Sequence, residues 1–382
     1  MGSDNVLEAT VVLINGTVVT ANACNHPDLF YAIRGGGGGT YGIVTSVVMK
    51  AYASPKTTYW SLFVNLQDPS KETEWWALMA EFNRELKGYK DGGLQGYYYF
   101  IGPSSVPMLP VPYLGMGAFF NLYDKPEGTV DELFRNFRRR LDGLNGTVEY
   151  LSDENTFGSF LEFYGSVLNE PVGSNLVLGS WLLPAEAFED VEAVAKVLQE
   201  VGPTSDPNKV CSPPELVIEV VKRLIGYKAP DHMIIGHFIA NSDNQELETA
   251  LNPAWRNAVS HLAVSGGLAD WALDEEIQAI RDDVTHRRVP ALKKLAPNSG
   301  AYFNEVGSSR FLTAGGVSLT MAQMDAFEPD WKRASFGENY LRLREIKDAY
   351  DPKGVLWCRG CVGSESWVED EEGKLCRADG KL

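Results

Sequence analysis

The order helix, glycine loop, strand near the start of the chain constrains the fold more than any other feature. "NHPDLFYAIRG" reads as a helix: Asn25 or His26 caps it, Pro27 suits its first turn, and Gly35 ends it. Gly35 to Gly39 and then Gly42 follow in "GGGGGTYG", and the Val-, Thr- and Ile-rich run "IVTSVVM" follows as a strand. Gly37, Gly39 and Gly42 fit the G-x-G-x-x-G spacing of a dinucleotide loop. That loop works only when a strand precedes the glycines and a helix follows, so that the helix N-terminus faces the pyrophosphate. Here the order is reversed, and the later window "YWSLFVNLQ" has no acid for a ribose. A nicotinamide-type Rossmann unit is therefore rejected. A tight turn accounts for one or two glycines. Six indicate backbone that closely approaches a ligand or another segment of the chain.

Upstream, "VLEATVVLINGTVVTAN" predicts two strands joined at Asn15-Gly16, a dipeptide that accepts positive φ. From about residue 57 strands alternate with amphipathic helices. Strands are expected over 59–66, 95–101, 113–123, 175–183, 232–241 and 258–264, and helices over 70–87, 129–142, 186–200 and 274–295. Several strands alternate apolar and polar residues, as an antiparallel sheet with one covered face requires. "NYLRLREIKDAYDPKG" is a last helix, stopped by Asp351-Pro352 and Gly354. The fold class is α+β.

The chain has 382 residues, 44% of them hydrophobic, enough for one large or two ordinary domains. Its charge of −17 leaves no basic footprint for a nucleic acid, and no apolar run is long enough to cross a bilayer. "MGSDNVLEAT" is not a secretory signal. Five cysteines are too few for a disulfide scaffold of this length. Cys358 and Cys361 in "WCRGC" follow a helix end rather than open one, and only Cys376 is near as a further ligand, so a structural or incidental role is expected. His232 and His237 sit at odd spacing on one strand and point to opposite faces, so they form no metal pair. Asn15-Gly-Thr and Asn145-Gly-Thr are glycosylation sequons, but "NG" is also a hairpin signal, and the turn reading comes first.

At this point the chain resembles a known family. Residues 2–51, from "GSDNVLEATVV" to "GIVTSVVMKA", resemble the second half of the FAD-binding module of vanillyl-alcohol-oxidase/p-cresol-methylhydroxylase (PCMH-type) flavoproteins. "FEPDWKRASFGENYLRLREIKDAYDPKGVLWCRGCVGSESW" resembles the terminal segment of berberine-bridge-enzyme-like oxidases, and "VGSESWVEDEEGKLCRA" is most similar to fungal isoamyl-alcohol-oxidase-like members. "LNPAWRNAVSHLAVS" fits the family's substrate domain. The resemblance implies FAD as cofactor and a small-molecule substrate: an alcohol, a sugar or an intermediate of secondary metabolism. It also implies hydride transfer to flavin N5 and dioxygen as acceptor.

Residue by residue, the resemblance implies that Asp4, Asn5 and Val6 form a turn near the adenosine half of FAD, although a polar turn before a strand explains Asp4 equally well. Gly37, Gly38, Gly39, Gly42, Ile43 and Val44 match backbone that passes the adenine. In "AYFNE", Asn304 matches a polar contact to the flavin. Tyr302 matches a proton acceptor or orienting hydroxyl facing the substrate, with an ordinary core tyrosine as the alternative. No metal is implied.

The resemblance implies three regions: 1–56 as part of the FAD domain, 57–300 as a substrate domain of antiparallel sheet backed by helices, and 301–382 returning to the FAD side. Two departures stand out. The chain starts after the family's pyrophosphate-binding subdomain, which often supplies the residues bonded covalently to flavin, so an incomplete FAD module is expected. A flavin-free or non-catalytic member of the family stays open beside the oxidase. Residues 306–323 also interrupt a continuous match, and both a translated intron of 54 nucleotides and a surface loop remain open origins. Relatives are often secreted; this chain leaves its localisation and oligomeric state undetermined.

Overall fold

The computed structural model describes residues 1–103, 111–166, 176–206, 232–238, 247–268, 272–303, 328–370 and 374–378, with the backbone alone at 311–313 and 316–318. The chain divides into two compact units. Unit 1 comprises 1–52, 241–256 and 326–382, and unit 2 comprises 53–240 and 257–325. The first division falls between Tyr52 and Ala53, and the long strand from Thr57 lies in unit 2. Residues 241–256 also join unit 1, where Arg256 pairs with Asp4.

Unit 1 opens with the hairpin the sequence predicts. β1 (Val6–Val12) pairs antiparallel with β2 (Val18–Asn22). Gly16 has φ +82°, and the Asn15 carboxamide accepts the Thr17 N–H at 2.9 Å. Helix α1 (Pro27–Ile33) begins with proline in its first turn. The glycine loop leads into β3 (Ile43–Met49), which runs antiparallel to β1 as the sheet edge, in the order β2-β1-β3. The helix-loop-strand order is the one that argued against a Rossmann crossover.

Unit 2 is built on a seven-stranded antiparallel sheet in the order β7-β4-β6-β5-β9-β10-β8. Its members are β4 (Thr57–Leu66), β5 (Gln95–Ile101), β6 (Gly115–Tyr123), β7 (Val148–Phe157), β8 (Leu176–Pro184), β9 (Met233–Phe238) and β10 (Ala258–Gly267). Helix α2 (Glu72–Asp91) buries Trp75, Met79, Phe82, Leu86 and Tyr89, the recurrence of an amphipathic helix. Against it lie Trp60, Tyr98, Phe100, Phe120 and Leu262, all buried on one face of the sheet. Inside this core the Tyr98 hydroxyl bonds to Asn83 Oδ1 and Ser260 Oγ, each at 2.8 Å, so its burial leaves no polar atom unsatisfied.

Three sequence expectations are corrected here. The helix expected over 129–142 breaks at Phe134 into Thr129–Leu133 and α3 (Arg135–Gly143), with the Phe134 ring packed 4.0 Å from Trp60 and 4.2 Å from Tyr89. Beyond α4 (Val191–Val201), the helix expected over 274–295 consists of α5 (Asp274–Asp283), a π-helical turn at Val284–Arg288 and α6 (Val289–Leu295). Pro290 lacks an N–H and crowds the carbonyl four residues back, so the ladder widens ahead of it. Strand β7 was not expected, because "SDENT" has low strand propensity; as an edge strand it tolerates charge.

The remaining part of unit 1 holds α7 (Trp331–Phe336) and α8 (Tyr340–Tyr350). Lys347, 3% exposed, bonds to Thr40 O, Asp351 Oδ2 and Leu356 O at 2.5, 2.7 and 2.8 Å. It ties the glycine loop to the end of α8. Cys358 and Cys361 form a disulfide, and Cys24 and Cys376 are free and exposed. Within the suspected insert, Phe311–Thr313 pairs with Gly316–Ser318; its other residues lie outside the described ones. No helix among the described residues is long and apolar enough to cross a membrane.

Candidate active site

In unit 1 the glycine loop separates into three kinds of position. Gly35, Gly36 and Gly42 are required by close packing. A Cβ would stand 2.3 Å from Leu251 N at Gly35, 2.6 Å from Ala32 O at Gly36, and 2.4 Å from Val11 Cγ1 at Gly42. Gly37 and Gly39 are required by φ of +110° and +74°. Gly38 is required by neither. It and Gly39 are exposed, and a Cβ on either would meet nothing within 4 Å. Glycine at a position free of both constraints leaves bare peptide groups facing open space. Beside them β3 presents Ile43 and Val44, 54% and 40% exposed. The Tyr41 hydroxyl is buried below the loop without a hydrogen-bond partner among the described residues.

Asp4 and Asn5, just before β1, serve mainly internal bonds. Arg256 donates to both Asp4 oxygens at 2.8 and 2.9 Å. Burial alone raises the Asp4 carboxyl, but the hydrogen bonds from Arg256 and the α-amino group outweigh it and hold it below the carboxylate range. The Asp4 side chain is fully buried, so it shapes the turn and offers a ligand no free carboxylate. Asn5 Oδ1 accepts from the Tyr52 hydroxyl at 2.7 Å, and Val6 begins β1.

In unit 2 the sheet face opposite α2 carries Tyr97, Tyr99, Phe119, His237 and His261. Antiparallel register sets His237 across from Tyr97 on one side and from His261 on the other. The two Nδ1 atoms are 3.3 Å apart, and the Tyr97 ring meets His237 edge-on at 4.5 Å. Tyr302 packs perpendicular to His261 at 5.5 Å. Its approach is set by neighbouring residues: Gly300 O accepts from Leu182 N, and Ser299 Oγ donates to Leu182 O, opposite His261 in the register.

Burial pushes His237 down to about 4. His261 is fully buried and lies well below the ordinary histidine range, with His237 adding to the effect. Both rings are neutral at pH 7, so one Nδ1 carries the proton and the other accepts it. The arrangement is a buried, uncharged proton donor–acceptor pair beside a tyrosine, on a face where Tyr97 is 46% exposed.

Tyr302 is thus the expected residue that the structure places in a chemical cluster. Asn304 lies outside the described residues. His237 and His261 were missed as a pair. Each is a lone histidine in an apolar strand, and only the register between strands brings them together. His232 lies off that face, as the spacing argued, with its Nδ1 4.0 Å from where a Gly266 Cβ would stand. Among the described residues, no group of three or more His, Cys, Asp or Glu could hold a metal ion.

The family model "Berberine and berberine like" matches residues 323–361. An uncharacterized FAD-linked oxidoreductase of Arthroderma benhamiae is 30% identical over 99% of this chain and 58% of its own length. FAD-linked oxidoreductase sor8 of Hypocrea jecorina is 31% identical over 99% of the chain and 56% of its own. The VAO-type flavoprotein MtVAO713 of Myceliophthora thermophila superposes with a TM-score of 0.80 at 26% identity, over 98% of this chain and 60% of that one. Over nearly its whole length the chain is similar to the berberine-bridge-like, VAO-type family of FAD-linked oxidoreductases. Its α+β architecture is that of the PCMH-type FAD-binding fold with an antiparallel substrate sheet. The chain spans a little over half the length of the curated relatives it matches. A carbohydrate oxidase of Microdochium nivale, at 18% identity and a TM-score of 0.61, shares the fold.

FAD is the cofactor of this family. The residues of unit 1 fit part of it: the open peptide groups of Gly38 and Gly39 and the apolar Ile43 and Val44 suit a flat purine that approaches main chain. The occupied carboxylate of Asp4 does not suit a direct ribose contact.

Proposed function

We propose that this chain belongs to an FAD-linked oxidase that converts a small alcohol or sugar hydroxyl to a carbonyl, with dioxygen as final electron acceptor. The reading rests on one observation, Tyr302 set against the neutral His261–His237 pair, and draws support from the family. Bound FAD would supply the acceptor for the hydride leaving the substrate carbon. The chain's own residues provide the rest. Gly37, Gly38, Gly39, Ile43 and Val44 would hold the adenine end through main chain and apolar contact, with Gly42 letting β3 lie against β1. The Tyr302 hydroxyl would orient the substrate hydroxyl by accepting its hydrogen bond and, as the phenolate, would take its proton. His261 fixes the Tyr302 ring from its edge. Because the pair carries no charge, it adds no fixed cation to a site where a proton must arrive. Tyr97, Tyr99 and Phe119 offer ring faces and edges to the apolar side of a sugar or aromatic substrate.

The first test is the visible spectrum of the purified chain, with and without added FAD, before and after acid precipitation. A weakly held flavin band, present with added FAD and released by acid, is expected. Peroxide release is then assayed with isoamyl alcohol, benzyl alcohol and cellobiose, for wild type and Tyr302→Phe. A chain that retains no flavin at any FAD concentration, or a Tyr302→Phe variant as fast as wild type, would overturn the reading.

A further inference from the structure

The two Asn-Gly-Thr sequons take on a second meaning once their surroundings are known. Asn15, Gly16 and Thr17 are all exposed on the β1–β2 turn, and a Cβ on Gly16 would meet nothing within 4 Å. Asn145 and Gly146 are exposed where α3 hands over to β7, and Gly146 has φ +88° with the same free space. The Asn15 side chain uses its Oδ1 toward Thr17 N, which leaves Nδ2 pointing away from that bond.

Asn145 has a further feature. It stands on the rim of an open hollow of about 630 Å³, lined also by Gln67, Asp142, Glu149 and Tyr150. Amide, carboxylate and aromatic groups around a shallow polar hollow are what the first sugar of a glycan can lie against. The Cys358–Cys361 disulfide is an independent indication of the compartment. Structural disulfides persist in oxidising compartments, and these are the ones where asparagine is glycosylated.

We propose that the protein matures in an oxidising, glycosylating compartment and carries N-linked glycans on Asn145 and Asn15, the Asn145 glycan resting in the adjoining hollow. In the transfer, the carboxamide nitrogen bonds to the anomeric carbon of a lipid-linked oligosaccharide. The sugar–phosphate bond breaks, the lipid diphosphate leaves, and the amide loses one proton. No oxidant is consumed.

The test uses the full chain purified from its source. Peptide-N-glycosidase is expected to lower its mass and to convert both asparagines to aspartate, read by peptide mass spectrometry. Asn145→Gln and Asn15→Gln should each remove one glycan, Thr147→Val should remove the first, and Thr147→Ser should keep it. Thiol labelling of the unreduced, denatured protein should leave Cys358 and Cys361 unmodified. Unshifted mass, or unconverted Asn145, overturns the proposal; an unconverted Asn15 alone overturns its second site. Free labelling of both cysteines overturns the compartment argument. None of these readouts depends on oxidase activity.

Discussion

Acidification should destabilise unit 2 long before its carboxylates titrate. His232 and His237 are both pushed down to about 4 by burial, and His261 shifts the same way. An unfolded histidine takes up its proton near 6.5. Above that value neither state is protonated, and the full stability is present. Below it the unfolded chain binds protons that the native chain refuses, so stability falls with pH until the native rings titrate near 4. Going from roughly pH 8 to pH 5, each such histidine removes about 2 kcal/mol, so His232 and His237 together remove about 4 kcal/mol. His261 adds to this in the same direction. The loss is a large part of a domain's typical stability. Urea titrations followed by tryptophan fluorescence measure it, since the fully buried Trp60, Trp75, Trp76 and Trp181 all belong to unit 2. His237→Gln, which retains a hydrogen-bonding group toward His261, should flatten the slope between pH 6.5 and 5 by about 1 kcal/mol per pH unit. A stability constant from pH 8 to 5, or a His237→Gln slope equal to that of wild type, would refute the buried neutral pair.

Other expectations follow from single contacts. Lys347→Met removes a buried cation from Asp351 and two carbonyls and should cost about 3–5 kcal/mol, seen as a lowered urea midpoint for unit 1. The double variant Lys347→Met/Asp351→Leu should not recover fully, because Asp351 also accepts the N–H groups of Val355 and Leu356. Tyr98→Phe strips two core hydrogen bonds and should lose about 1–3 kcal/mol without changing flavin retention. Gly42→Ala drives a Cβ into Val11 and Val12 and should cost about 1–3 kcal/mol in the same denaturation assay. Gly38→Ala meets open space and should leave stability within about 0.5 kcal/mol of wild type while weakening FAD retention on gel filtration.

The features legible in the sequence are those encoded over a few neighbouring residues. Asn15-Gly16 specifies the first hairpin because glycine there takes a positive φ at no steric cost. The spacing of Trp75, Met79, Phe82 and Leu86 specifies α2 through helical periodicity. The helix-loop-strand order around the glycines argued against a nicotinamide fold, and motif resemblance at both ends of the chain pointed to flavin. Where tertiary packing or a proline's local clash overrides the apolar periodicity, the sequence misled. Phe134 interrupts one expected helix, Pro290 follows the widened turn that interrupts another, and the acidic β7 is a strand because β4 supplies its hydrogen bonds.

The site itself lay beyond the sequence for a different reason. His237 and His261 are 24 residues apart, and the Arg256–Asp4 bond spans 252. No local signal states which strand pairs with which, or in what register, and a slip of one residue would send each histidine to the opposite face. Short motifs, through their resemblance to a flavoprotein family, therefore pointed to a class of chemistry. The three-dimensional pairing of strands decided which side chains stand together, because burial and register are properties of the folded sheet and not of any one segment.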